Sequence, residues 1–336
     1  MKKIFTIFFL ITVSLNSFAQ LEAKNWYFGS YQGIKFENNA PVKMYNSKMK
    51  LNGGSSCISD KYGNLLFYSD GNTIWNKNHD TLKNGFGLIG SGGCAQAPII
   101  IPHPGDTNLY YLFTVVGYYS WLQNLEGLRY HLLDISKDNG YGKIILKNKK
   151  FCSDVQEKIA ATMHANKQSV WIMVSDWNSN KFKAFLISKT GLDTTPVISS
   201  GGTYKWHKGG DVGGQFKFSP SGKKLANGLN IHGVVDIFDF DNKTGKVSNC
   251  ITIDSFPNSI DVWTNSIEFS PNEKFLYFTQ GSPLNIYQVD ISTRIDSIVK
   301  KSMYKIFSLL WQFLWAANCI KQQNIYIKTC LLSRLY

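Results

Sequence analysis

The residues best able to do chemistry are six histidines, because imidazole serves as an acid, a base or a metal ligand near neutral pH. No two lie four residues apart, the spacing that puts two metal ligands on one helix face. The sequence has no HExxH, GxSxG, SxxK or phosphate-loop motif. We therefore predict no catalytic residue and expect scattered histidines: His79, His103, His131, His164, His207 and His232.

Three further patterns match binding motifs only in part. Residues 85–90 fit GxGxxG by letter, but no helix pattern follows them, as a dinucleotide site requires. Asp134 opens a D-x-S-x-D segment and Asp176 a D-x-N-x-N segment, both like the start of a calcium loop. Each lacks the Gly at the sixth position and the closing Glu, so we interpret both as hairpin turns. We expect no cofactor and no metal, and surface turn positions for Asp60, Asp70, Asp176 and Asp290.

The N-terminus has the pattern of a secretory signal peptide. Basic Lys2 and Lys3 precede an apolar run at 4–13, and Ser17-Phe18-Ala19 forms a small-x-small cleavage site. We predict that residues 1–19 are removed and that the mature chain is exported to the periplasm, cell surface or medium without a transmembrane helix. Disulfides are permitted there, but we expect the cysteines to be buried as small apolar side chains or to form one bridge. Three pairings of the first four cysteines stay open. The six cysteines are Cys57, Cys94, Cys152, Cys250, Cys319 and Cys330.

A loose internal repeat must position these residues. Its clearest copies are FSPSGK at 218–223 and FSPNEK at 269–274, each a β-run ending in a proline turn and followed by further apolar runs. The same order recurs upstream, and the equivalent turn residues would be Ser59, His103, His164, Ser219 and Ser270.

Three or four strands per 40–50 residues are typical of a β-propeller blade, and no convincing amphipathic helix lies between residues 20 and 292. We therefore predict an all-β propeller over 20–292, incomplete, with about six of about seven blades visible. Tryptophans would act as wedges between blades, with a sugar-stacking row as the alternative. Before residue 292 they are Trp26, Trp75, Trp121, Trp171, Trp177, Trp206 and Trp263.

The repeat pattern stops after Ser292. A tail anchor is a weak explanation, because the apolar stretch at 306–320 is only 15 residues long and contains polar residues. A shifted reading frame explains more: residues 309–326, read one base later from permitted codons, give FYGNFCGLQIASNNKIYI, again an apolar run, a polar turn and a second run. We therefore interpret 293–336 as an aberrant C-terminal tail and the propeller as truncated.

Four segments carry a resemblance to a known family: NWYFG at 25–29, CISDKYGNLLFYSDGNTIWNKNH at 57–79, HANKQSVWIMVSDWNSNKFKAFLIS at 164–188, and the FSP turns. In order, they resemble the secreted β-propeller domain of surface proteins in gliding bacteria with type IX secretion. Such proteins often carry PKD repeats and a gliding-motility-associated type B sorting domain, neither of which follows here. The resemblance implies about seven blades, export, a surface or adhesive role and no known catalytic residues.

The net charge of +13 lies largely at the two ends, since 293–336 hold seven Lys or Arg against one Asp. No nucleic-acid motif accompanies it, so we expect no nucleic-acid partner. We predict a monomeric, non-catalytic binding or scaffold module for an extracellular protein or glycan. The alternative is a lactonase-like hydrolase or lyase that gathers His and Asp side chains at the mouth of the central channel.

Overall fold

The computed structural model of the chain describes residues 21–38, 40–50, 53–90, 96, 98–116, 127–177, 179–203, 213–230, 233–254, 264–280 and 284–309. Its strands form five hydrogen-bonded sheets, one of which has eight strands. The two antiparallel halves of that sheet meet through one parallel pair, Lys83 with Lys143, and we count each half as a blade, which gives blades 1 to 6 along the sequence. The all-β propeller prediction is confirmed, with six blades in view.

Blades 1 to 3 occupy the first half of the chain and follow a short 3-10 turn at Leu21–Ala23. Blade 1 has three strands: β1 (Asn25–Phe28), β2 (Gln32–Glu37) and β3 (Ala40–Met44). Blade 2 has four: β4 (Ser56–Ser59), β5 (Leu65–Ser69), β6 (Thr73–Asn76) and β7 (Thr81–Phe86). Blade 3 has β8 (Ile99–Pro102), β9 (Leu109–Val116), β10 (Gly127–Asp134) and β11 (Lys143–Cys152), with a helical turn α1 (Lys137–Gly140) before its last strand.

Blades 4 to 6 complete the described part of the molecule. Blade 4 has β12 (Val155–Met163), β13 (Val170–Asp176), β14 (Lys181–Ser188) and an outer strand in two pieces, β15 (Gly191–Leu192) and β16 (Val197–Ser200). Blade 5 has β17 (Phe216–Phe218), β18 (Lys224–Leu229), β19 (Val234–Asp241) and β20 (Lys246–Asp254). Blade 6 has β21 (Thr264–Phe269), β22 (Phe275–Gln280), β23 (Leu284–Asp290), α2 (Asp296–Lys301) and β24 (Tyr304–Leu309).

Each junction between neighbouring blades has its own apolar core. The first strands of the blades lie side by side around a common centre, as in β4 with β8, β12 with β17 and β17 with β21. Blade 5 shows the principle: Leu225, Phe238 and Phe240 pack toward blade 4, whereas Ile237 and Ile253 pack toward blade 6. Alternation along its strands therefore buries both faces of one sheet, which a single blade cannot achieve alone.

The outer strands repeat a bulge that the sequence pattern does not reveal. Asn84, Asn148 and Asn249 have φ values of 63°, 60° and 51° in the last strands of blades 2, 3 and 5. Each lies where the pairing register shifts against the preceding strand. Asparagine tolerates this left-handed conformation better than most residues, so the bulge bends each outer strand at little cost.

The end of the propeller differs from the expected boundary at residue 292. β24 pairs antiparallel with β23, matching Gln288 with Tyr304 and Ile286 with Phe307. Blade 6 therefore continues to Leu309, and a polar helix, α2, with only Val299 buried interrupts the repeat before its last strand. The helix breaks the period-2 alternation, so the sequence pattern gives no strand signal just beyond residue 292.

The remaining boundary predictions fall outside the described residues, namely the signal peptide and the tail from 310 onward. In the ranges that the structure describes, no helix is long and apolar enough to cross a bilayer.

Blade 1 pairs only within itself among the described strands, so β1 to β3 form a sheet separate from blade 6.

Candidate functional site

His103 and His164, which occupy equivalent turn positions of the repeat, both cap their turns. The ring Nδ1 of His103 accepts the Gly105 N–H at 3.0 Å, and that of His164 accepts the Asn166 N–H at 2.9 Å. Each ring also lies against an aromatic side chain, Tyr111 for His103, with ring centroids 5.5 Å apart. Both imidazoles are therefore part of the turns rather than of a site.

The same turn in the other blades uses smaller side chains. The Ser219 and Ser270 hydroxyls accept the N–H groups of Lys224 and Phe275, five residues on. In blade 2 the cap is Asp60, which accepts two turn N–H groups at 2.8 Å, and not the expected Ser59. A register shift after Ile58 moves the turn by one residue.

His131 lies fully buried inside blade 3. Its Nδ1 accepts the Asn148 N–H at 3.1 Å, so the ring proton is on Nε2, 3.1 Å from the Thr114 hydroxyl. Thr114 donates in turn to the Ile89 carbonyl at 2.7 Å. Burial, assisted by nearby Arg129 and Lys147, lowers the pKa of His131 to about 3. A neutral imidazole thus ties the link after blade 2 to blade 3.

His79 belongs to an aromatic cluster between blades 1 and 2. The rings of Tyr27 and Tyr68 stack at 4.6 Å, and Tyr68 stacks on half-buried Trp75 at 5.3 Å. His79 Nδ1 lies 3.2 Å from the Tyr68 hydroxyl, and its Nε2 lies 2.8 Å from the Asn46 amide nitrogen. Burial raises the pKa values of both tyrosines to about 12 and lowers that of His79, so all three are neutral at pH 7.

The four described histidines thus occupy different blades or different strands, and each has its own partners. No group of three or more His, Cys, Asp or Glu side chains suited to a metal ion occurs among the described residues. His207 and His232 lie outside them.

The two calcium-like segments are hairpin turns in this structure. Asp134 accepts both the N–H and the O–H of Ser136, at 2.9 and 2.6 Å, which lowers the pKa of its carboxyl. Asp138 pairs with Lys83 of blade 2 at 3.2 Å. Asp176 pairs with Lys183 on the adjacent strand. Asn178 lies outside the described residues.

Two glycines of the GxGxxG-like segment, Gly85 and Gly90, are closely packed, whereas Gly87 has a left-handed φ of 74° and open space around it. Gly85 lies within β7, and a Cβ on Gly90 would come within 2.4 Å of the Gly71 carbonyl oxygen. Among the described residues, the next regular element after this segment is strand β8, not a helix. The arrangement lacks the strand–turn–helix unit that places a phosphate at a helix N-terminus.

Cys57, Cys152 and Cys250 form no disulfide with one another. Any scheme that pairs the first four cysteines in two bridges must join two of these three residues, because only one of the three can pair with Cys94. None of the three two-bridge pairings therefore forms. Burial raises the pKa of the Cys57 thiol to about 12, and its Sγ donates to the Asn25 carbonyl at 2.9 Å. This thiol is therefore not nucleophilic. Cys94, Cys319 and Cys330 lie outside the described residues.

The tryptophan prediction holds clearly for Trp171. Its ring is buried between blades 4 and 5, and its indole N–H donates to the Asn242 carbonyl of blade 5 at 2.9 Å. Trp75 faces blade 1 in the aromatic cluster, whereas Trp26 packs edge-on against Phe36 within its own blade. Trp121, Trp206 and Trp263 lie outside the described residues.

Several buried polar groups lie on the first strands of blades 4 and 5 and on neighbouring strands. Lys158 on β12 is fully buried, and its ammonium donates to the Asn227 side-chain oxygen at 2.8 Å and to the Gly228 carbonyl at 3.2 Å. It also lies 5.2 Å from the centre of the Phe216 ring. These contacts offset the desolvation of a buried cation.

Glutamine side chains extend this inner polar cluster. Gln96, just before blade 3, both donates to and accepts from the Phe216 backbone, at 2.7 and 2.6 Å. Gln215 accepts the Ile267 N–H of blade 6 at 2.6 Å. The two Gln96 bonds join the segment before blade 3 to blade 5, and the Gln215 bond joins blade 5 to blade 6. Amide side chains thus replace strand pairing near the centre of the propeller.

One ion pair links equivalent positions of consecutive blades. The Lys217 ammonium lies 2.7 Å from a Glu268 carboxylate oxygen, and each residue stands two positions before the turn serine of its repeat. Lys217 is almost fully buried, while Glu268 retains 33% of its side-chain exposure. The pair helps set the relative position of blades 5 and 6.

The amide side chains of this inner cluster can donate and accept hydrogen bonds, but they are neither acids nor bases near neutral pH. The cluster differs from the His and Asp gathering that a hydrolytic site would need. Lys158, Gln96 and Gln215 could not be predicted from the sequence, because isolated amides and lysines carry no motif. Only the repeat alignment of Lys217 with Glu268 was available as a signal.

No protein-family profile and no curated protein sequence matches the chain. Solved structures do resemble it, and each is similar in fold. One is a candidate 6-phosphogluconolactonase from Bacteroides uniformis, at 12% identity and a TM-score of 0.47, covering 83% of this chain and 80% of that one. Another is the β-propeller domain of Cps50 (Swd1) from Myceliophteria thermophila, at 9% identity and 0.47, covering 84% and 81%. At these identities the likeness concerns the propeller fold alone.

Proposed function

We propose that the chain is an exported, non-catalytic β-propeller that binds a protein or glycan ligand, as a module of the gliding-motility-associated surface type. The observation that supports this most is that the four described imidazoles are all engaged in structural hydrogen bonds. Each one caps a turn or lies in a hydrogen-bonded network with neutral partners. Acid–base catalysis needs two titratable groups facing one reacting atom, and within the described residues these histidines do not supply them.

Ligand binding requires an ordered surface but no pair of titratable groups facing one reacting atom. A rigid propeller presents turns from every blade at fixed positions, and ordered turns lose little entropy when a ligand docks. The caps at Asp60, His103, His164, Ser219 and Ser270 give the described turns of one end such order.

The test uses the purified mature chain, residues 20–336, in two assays run side by side. A glycan array and a capture assay with defined extracellular matrix proteins measure saturable binding, with heat-unfolded protein as the control. A panel of lactones and uronate oligosaccharides, with and without divalent metal, measures turnover. We expect binding without turnover; metal-dependent hydrolysis above the heat-treated control would replace this proposal with the lactonase-like alternative.

Export has a separate test. Replacing Leu10 with Arg interrupts the apolar core of the proposed signal peptide, so the variant should remain in the cytoplasm with its leader uncleaved. The native chain should lose residues 1–19 and leave the cytoplasm. Equal fractionation of both chains would contradict export.

We also propose that the tail is read in a shifted frame. The point supporting it is that residues 309–326, read one base later, give an apolar run, a polar turn and a second apolar run, as in the blades. Sequencing genomic DNA and transcripts around codon 308 tests this. An uninterrupted second frame that encodes further blades supports it, and a second frame with early stop codons overturns it.

A further inference from the structure

Lys158 and Asn227 face each other across the junction between blades 4 and 5. Lys158 is fully buried and Asn227 is 5% exposed, and the lysine Nζ lies 2.8 Å from the asparagine side-chain oxygen. The carboxamide carbon is therefore at most about 4.0 Å from Nζ, because the C=O bond is about 1.23 Å long. Strands β12 and β18 of two packed blades hold the two side chains in place. A primary amine is thus kept close to an acyl carbon that it can attack.

The reaction that usually consumes an Asn-Gly pair is hindered at Asn227. In a flexible chain, the backbone nitrogen of the glycine attacks the asparagine side chain and forms a succinimide. Here the Gly228 N–H donates to the Gln215 carbonyl at 2.9 Å, and a Cβ on Gly228 would come within 2.9 Å of Ile267 Cδ1. The glycine backbone is therefore held by its neighbours, whereas the amine of Lys158 faces the carboxamide directly.

We propose that Lys158 and Asn227 join in an isopeptide bond, a covalent link between blades 4 and 5. Lys158 Nζ attacks the Asn227 Cγ as the neutral amine, so that the Nζ–Cγ bond forms and the Cγ–Nδ2 bond breaks with release of ammonia. The proton that the lysine ammonium gives up equals the proton that ammonia takes up in solvent. The reaction therefore consumes no co-reactant and leaves a neutral secondary amide.

The product fits the site with little rearrangement. The Lys158 ammonium is fully buried, and its conversion to an amide removes the cost of keeping a charge there. The one N–H of the new amide can donate to the Gly228 carbonyl, which lies 3.2 Å from Nζ. The centre of the Phe216 ring lies 5.2 Å from Nζ, so the link is packed against an apolar side chain.

Loss of the lysine charge leaves the neighbouring carboxylate with its hydrogen bonds. Asp236 stands directly opposite Asn227 in the sheet and is also fully buried. The Thr203 N–H, the Thr203 hydroxyl and the Thr252 hydroxyl donate to its oxygens at 2.7, 3.0 and 2.6 Å. Forming the amide therefore strands no buried acceptor of Asp236.

Mass spectrometry of the full, folded chain tests the proposal. We expect an intact mass about 17 Da below that calculated for the same chain, the mass of one ammonia. After denaturation and digestion with trypsin, residues 151–167 should be joined to residues 225–243, because a linked Lys158 resists cleavage. Fragmentation must place the link on Lys158 and Asn227, since a succinimide loses the same mass within a single peptide.

Lys158→Arg keeps a cation with hydrogen-bond donors but removes the nucleophilic amine, so it should lose the linked species completely. Lys183→Arg, the matched control, alters a lysine of blade 4 that pairs with Asp176, and it should keep the link. A cooperatively melting native chain whose digest contains residues 151–158 and 225–243 only as separate peptides would overturn the proposal. So would a link that persists in Lys158→Arg, because another amine would then be the nucleophile.

Discussion

At the scale of single residues, the polar side chains of this propeller serve geometry. His131 is the clearest case, because its ring accepts one backbone N–H and donates to one hydroxyl in a site with no exposed surface. An imidazolium there would lose the Asn148 bond and carry an uncompensated buried charge. The fold therefore depends on this ring staying neutral.

That dependence sets a pH profile. The folded pKa of His131 lies at about 3, below the unfolded value. Its contribution to the free energy of unfolding is fully present above about pH 6.5 and falls by about 1.4 kcal/mol per pH unit below it. Urea melts from pH 8 to pH 4 should show a steeper acid loss in the native chain than in His131→Gln. Parallel profiles for the two proteins would show that the ring does not carry this linkage.

The turn caps predict a graded substitution series. His164→Ala should lower the free energy of unfolding by about 1 kcal/mol, because the Asn166 N–H loses its acceptor. His164→Asp should recover most of that loss, since Asp60 caps the equivalent turn of blade 2. Chemical denaturation measures both, and equal losses in the two variants would argue against a capping role.

At the scale of elements, the strands could be predicted from the alternation of apolar and polar residues and from turn residues. The places where a bulge, a register shift or a helix interrupts the strand pattern could not. The FSP turns marked strand ends correctly because proline and serine act through local geometry. The one-residue shift at Asp60, the Asn148 bulge and the helix before β24 depend on pairing with other strands, which no single segment encodes. The inner polar cluster was hidden for the same reason, since Gln96 and Phe216 lie 120 residues apart.

The Lys217–Glu268 pair makes a prediction at this scale. Glu268→Leu leaves the buried ammonium of Lys217 without its carboxylate and should cost about 2 kcal/mol, reduced from the fully buried case by the exposure of Glu268. Lys217→Met combined with Glu268→Leu should recover at least half of that loss, because no charge is then buried. A double-mutant cycle in urea decides, and strictly additive losses would mean that the two residues do not couple.

At the scale of the whole molecule, the blades at the two ends of the described array differ from those between them. Tyr304 and Phe307 on the outer strand of blade 6 are 67% and 55% exposed, and they share a face with half-buried Tyr277 and Ile286. The opposite face of blade 6 is buried against blade 5. Apolar outer strands of this kind promote association between sheets.

We accordingly expect poor solubility of the 336-residue chain and a specific remedy. Tyr304→Lys with Phe307→Lys should raise the monomeric fraction in sedimentation velocity without lowering the thermal midpoint. Tyr62→Lys is the control, since it alters an equally exposed aromatic on a turn, 65% accessible, and should leave association unchanged. A monodisperse native chain would contradict this expectation.

The central claim is that six blades bury one another's faces in a single array and that, among the described residues, blades 1 and 6 each pack against one neighbour only. Amide exchange across the chain under increasing urea measures this directly. The account predicts the highest opening free energies in β9, β13 and β19, with progressively lower values toward β2 and β24. Equal protection of the first and last blades with the central ones would contradict it, because both end blades would then have to be covered on both faces.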